Sequence, residues 1–74
     1  MINSFVKKVS KDIYLSDEDI KVLEKYEVDY KNFSSMKELI FHLEDLFNNY
    51  YVDEDLDLLI TKLSEYNYYF RTNK

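Results

Sequence analysis

Three carboxylates alternate at Asp53, Asp55 and Asp57, the spacing that opens a calcium loop. Such a loop also needs Gly at its sixth position for the sharp turn and a bidentate Glu at its twelfth. Here those positions are Leu58 and Ser64, and residues 56–63 carry a helical rather than a loop pattern. The three acids therefore read as the cap and first turn of a helix, where negative charge complements the backbone dipole. His42 is the single histidine. A nucleophilic triad or a zinc site needs further specific partners. On a helix its neighbours are Glu38 and Asp45, and it reads as a surface residue with no catalytic role. No Ser or Thr sits in a Gly-rich elbow. No catalytic residue, metal ligand or cofactor is expected, and an enzyme is the least favoured class.

The acidic stretch is wider than capping requires. Between positions 44 and 61 stand Glu44, Asp45, Asp53, Glu54, Asp55 and Asp57, with neither Lys nor Arg. Tyr50 and Tyr51 lie in its middle, between two helical patterns. Tyrosines ringed by charge are frequent anchors of protein interfaces. The expected partner-binding surface is Phe47, Tyr50, Tyr51, Asp53, Glu54, Asp55 and Asp57, facing a protein with a basic surface. A second aromatic group, Tyr66-Asn67-Tyr68-Tyr69-Phe70, has Tyr66 and Phe70 on a core stripe. Tyr68 and Tyr69 point elsewhere, and these two are the candidates for self-association into a homodimer.

The elements that must hold these residues come from an unusual composition. The chain of 74 residues has no Gly, Pro, Cys or Ala, but eight Tyr and five Phe. Gly provides positive φ and Pro pre-sets turns, so their absence disfavours hairpins and phosphate-cradling loops. Disulfides are impossible, and a single domain over 1–74 is expected to lean on its aromatic core. A net charge of −5 with scattered bases argues against direct nucleic-acid binding. The run Leu58-Leu59-Ile60 is far too short to span a membrane. No signal peptide is recognisable at the start, so a cytoplasmic location is expected. Heavy use of Lys, Asn, Ile, Tyr and Phe is what an AT-rich gene encodes, which points to a low-GC bacterium or to a phage or mobile element within one.

Periodicity then assigns four helices. Ile2, Phe5, Val6, Val9 and Ile13 are spaced by threes and fours, predicting a short helix over about 3–10. Lys7, Lys8 and Lys11 fall off its stripe. Ser16 and Asp19 cap a second helix ending near Glu27, with Leu15 and Ile20 as a hydrophobic staple. Ser35 and Glu38 form the capping box of a third, whose left-handed terminal residue is expected at Asn48 or Asn49. A fourth runs from near Asp53 to about 69 on Leu56, Leu59, Ile60, Leu63, Tyr66 and Phe70, and the tail Thr72-Asn73-Lys74 is expected to fray. The fold class is all-α, a small compact bundle of three to four helices, largely antiparallel.

The functional expectation is a non-enzymatic acidic module, an inhibitor or adaptor of a basic, nucleic-acid-handling protein. Two alternatives remain. One is a DNA mimic of the anti-restriction or anti-CRISPR kind, which requires its acids segregated on one face. The other is a structural or oligomerisation module.

Overall fold

A computed structural model describes residues 6–10 and 12–72. The chain order is strand β1 (Lys7–Ser10), strand β2 (Ile13–Leu15), helix α1 (Asp17–Lys25), a 3-10 turn (Tyr30–Asn32), helix α2 (Met36–Asn49) and helix α3 (Glu54–Thr72). The all-α expectation is corrected by the first two elements. β1 and β2 pair as a two-stranded antiparallel sheet, so the fold is a small mixed α/β one. The helix expected over 3–10 is replaced by β1 where residues are described; positions 3–5, Lys11, Asn73 and Lys74 lie outside them.

The cause is local. Val6, Val9 and Ile13 are β-branched and favour strands over a short, isolated helix, which is costly to nucleate. In β2 the side chains alternate strictly, with Ile13 and Leu15 buried and Tyr14 half-buried. In β1 a bulge hides the alternation. Lys8 pairs with Tyr14 and Ser10 with Ile13, which leaves Val9 as the extra residue. A bulge shifts the apolar spacing from two to three, and three is also a helical step. Lys7 and Lys8 are exposed on this strand, where charge discourages pairing with other chains.

α1 begins as its residues require. The Ser16 Oγ accepts from the Asp19 N–H at 3.2 Å, and the Asp19 carboxylate accepts from the Ser16 N–H at 3.0 Å. Its other end uses a Schellman motif without glycine. The Glu27 N–H donates to the Glu24 carbonyl, and the Val28 N–H donates to the Leu23 carbonyl. Glu27 adopts φ of 58°, the sole positive φ among the described residues. A Cβ there costs roughly 1–2 kcal/mol, offset by the buried Val28 and Leu23 on either side of the turn.

Asn48 and Asn49 do not take the left-handed conformation expected of one of them. α2 ends instead with the N–H groups of Tyr50 and Tyr51 both donating to the Leu46 carbonyl. Asn49 Nδ2 donates back to the Asp45 carbonyl and carboxylate at 3.0 and 2.8 Å. The expected capping box of α2 is only half formed. Ser35 Oγ accepts the Glu38 N–H at 3.3 Å, but the Glu38 carboxylate turns one residue further back, to Ser34. α3 extends through Thr72, past the end expected near 69.

The core is mainly leucine. Ile13, Leu15, Leu23, Leu39, Leu43, Leu56, Leu59 and Leu63 are essentially without solvent contact. Each such side chain contributes about 1.5–3 kcal/mol through burial. Helix directions follow from cross-contacts. Asp19 at the start of α1 meets Lys62 and Tyr66 far along α3, whereas Lys25 and Tyr26 meet Asp55 and Asp53 at its beginning. α1 and α3 therefore run in opposite directions. Tyr14 stacks on Phe70 at 4.0 Å between centroids, and its N–H faces Met36 Sδ at 3.4 Å. The start of α2 thus lies beside the end of α3.

Candidate functional site

Two polar clusters tie α1 to α3, one at each end, and a loop joins α2 to α3 at the second. The first cluster is internal. Asp19 is 0% exposed. Its Oδ2 accepts from the Ser16 N–H and from the Tyr66 hydroxyl, each at 3.0 Å. Its Oδ1 is met by the Lys62 ammonium at 2.8 Å, a charge-assisted contact. Burial acts to raise the Asp19 carboxyl. Lys62 and the bonds from Ser16 more than offset it and hold the group below its ordinary value. Burial, reinforced by the Asp19 charge, pushes the Tyr66 hydroxyl strongly upward, so it stays a donor. Sequence reading placed Asp19 in the first turn and Tyr66 in the core stripe, without joining them. The signal was available: a tyrosine inside a core stripe needs a partner for its hydroxyl.

The second cluster contains part of the expected binding surface. Asp53 caps α3, and its Oδ2 accepts from the Tyr26 hydroxyl at 2.6 Å. That bond, with Lys25 nearby, holds the Asp53 carboxyl below its ordinary value despite some desolvation. Tyr26 is buried. Desolvation first, then the Asp53 charge, pushes its hydroxyl up. Lys25 Nζ donates to Asp55 Oδ2 at 3.0 Å and lies 3.8 Å from Asp53. Its ammonium is raised by Asp55 foremost. It also stands 5.5 Å from the centre of the Tyr26 ring. Two of the acids assigned to a partner are therefore already engaged inside the molecule.

The remaining expected residues divide by exposure. Phe47 is half-buried and packs against the core. Tyr51 rests its ring on Tyr26 at 5.3 Å and keeps an exposed portion. Tyr50 is 72% exposed. Glu54 and Asp57 are exposed, and neither has an ion-pair partner among the described residues. Val52, which sequence reading passed over, is 86% exposed. Its position beside two tyrosines in a loop was the available signal. The α2–α3 loop thus carries an aromatic–aliphatic tip at Tyr50 and Val52, with Glu54 and Asp57 following it in chain order.

Tyr68 and Tyr69 lie on the outward side of α3, and the Tyr69 ring meets Phe70 edge-on at 5.1 Å. Among the described residues no helix is long and apolar enough to cross a membrane. No family model matches the chain, and no curated protein or solved structure is significantly similar to it.

Proposed function

We propose that this chain is a non-enzymatic, cytoplasmic protein-binding module that holds a basic protein partner through the α2–α3 loop, as an inhibitor or adaptor. A nucleic-acid-handling protein is the class of partner whose surface charge suits it. The observation that supports this most is the exposure of Tyr50 and Val52, followed by Glu54 and Asp57, which have no ion pair among the described residues. Large apolar side chains at a loop tip provide desolvation energy on docking. Net negative charge steers a cationic partner toward them. Asp53 and Asp55, partly exposed and already bonded to Tyr26 and Lys25, add negative charge at the base of the loop.

The DNA-mimic alternative has less support. A mimic needs an unbroken acidic face, whereas Lys7, Lys25 and Lys62 are interleaved with Asp17, Asp55 and Asp19. The oligomerisation alternative rests on Tyr68 and Tyr69, and solution mass at several protein concentrations tests it.

The loop reading is tested with a photo-crosslinking residue at Tyr50 in the full chain, exposed to the host's soluble proteins. A basic protein should be captured. Glu54→Lys with Asp57→Lys, and separately Val52→Ser, should abolish that capture; the charge reversal lowers the unfolding temperature somewhat through the α3 dipole, and both variants should still unfold cooperatively. The same proteins captured by every variant would remove the reading.

A further inference from the structure

A second surface lies on the outer side of α2, apart from the loop. A stripe at spacings of three and four runs through Glu38, Phe41, His42 and Asp45. With Phe33 these side chains line a shallow depression of about 330 Å³. Outward stripes of surface helices are ordinarily polar. Phe41 is nevertheless 75% exposed, and the His42 ring is braced by Phe33 at 5.1 Å between centroids.

The two carboxylates are held in place. Ser34 donates to Glu38 Oε2 through both its hydroxyl and its N–H. Asn49 donates to Asp45 Oδ1 at 2.8 Å. Among the described residues, neither carboxylate accepts a hydrogen bond on its second oxygen and neither has an ion pair.

We propose that this depression binds an arginine side chain presented by a protein partner. The charge complementarity is specific to a planar cation. A guanidinium stacks on aromatic faces, sheds water more easily than an ammonium, and offers several donors in one plane. Phe41 and the His42–Phe33 pair supply rings, and Glu38 and Asp45 supply acceptors one helical turn to either side. A lysine ammonium would meet the charge but cannot lie flat on the rings, and it sheds water less readily. An acidic or purely apolar segment would leave both carboxylates uncompensated.

The site stands independently of the loop, and its test does not use the loop. N-acetyl-arginine amide is titrated into the full chain in mildly alkaline, constant-ionic-strength buffer. Binding is followed by the NMR resonances of the His42 and Phe41 rings. Saturable shifts are expected. N-acetyl-lysine amide should bind about threefold more weakly or worse, through loss of ring stacking. Glu38→Gln with Asp45→Asn should weaken the arginine probe about tenfold or more, through loss of charged acceptors. Phe41→Ala should weaken it as well, and its high exposure means the fold is retained. The proposal is overturned by shifts that do not saturate, by equal binding of the two amides, or by affinity unchanged in the carboxylate variant. Any of these leaves the reading of Tyr50 and Val52 standing.

Discussion

The two ends of the α1–α3 contact are built from the same three residue types and do different things. At one end an aspartate of α1 meets a tyrosine and a lysine of α3, in Asp19, Tyr66 and Lys62. At the other, aspartates at the start of α3 meet a lysine and a tyrosine of α1, in Asp53, Asp55, Lys25 and Tyr26. The arrangement is reciprocal across an antiparallel helix pair. Its environments are not, because Asp19 is sealed from solvent whereas Asp53, Asp55 and Lys25 all remain substantially exposed. Residue type and spacing therefore do not set the strength of such a contact. Desolvation does. An exposed pair exchanges water for a partner at little gain, whereas a buried carboxylate must keep every donor it has.

The largest expected effect comes from breaking the buried end. Asp19→Ala leaves the Ser16 N–H and the Tyr66 hydroxyl without an acceptor, and a loss of about 3 kcal/mol is expected in urea unfolding. A loss no larger than that of an exposed-surface substitution would show that water satisfies these groups.

The pH dependence comes next. The Asp19 carboxyl is depressed in the folded chain, so its contribution is complete above the ordinary carboxyl value of about 4. It is lost as pH falls through the lower folded value. The stability difference between the native chain and Asp19→Asn should therefore hold constant from neutral pH down to about 5 and shrink below about 4. Asp53 is depressed in the same direction, which is why the difference, rather than the native curve alone, is the informative quantity. A difference that does not vary with pH would remove the assignment to Asp19.

The smallest and sharpest test removes one hydroxyl at each end. Tyr66→Phe should lower the unfolding temperature more than Tyr26→Phe, although each deletes one tyrosine-to-aspartate bond. Asp19 has no solvent to replace the donor, whereas Asp53 does. Equal shifts, or the reverse order, would show that burial does not rank these two contacts.

The same distinction explains what could be read in advance. Cap chemistry is local, so Ser16, Asp19, Ser35 and Asp53 mark the starts of α1, α2 and α3, and the leucine stripes mark their buried faces. The N-terminal segment was illegible because the bulge at Val9 gives a strand the spacing of a helix. The left-handed residue was misplaced for a related reason. Asn tolerates positive φ most readily apart from Gly, yet the conformation went to Glu27, where the contact between Val28 and Leu23 sets the chain's exit from α1. In the candidate surface, Tyr50, Glu54 and Asp57 are exposed. Asp53 and Asp55 are also engaged by Tyr26 and Lys25, which lie 27 and 30 positions earlier in the chain and so could not be joined to them by local spacing.

By itself the sequence determined where the three helices begin, which leucines they bury, and that the molecule carries excess negative charge. These follow from interactions within one or two helical turns and from composition. Tertiary structure alone decided that the first segment pairs as strands and that Asp19 is a buried latch. It also decided that Lys25 and Tyr26 engage two acids that stay partly exposed, and that Val52 faces outward. Each of these depends on which distant side chain arrives to exclude water or replace it, and no local spacing contains that information.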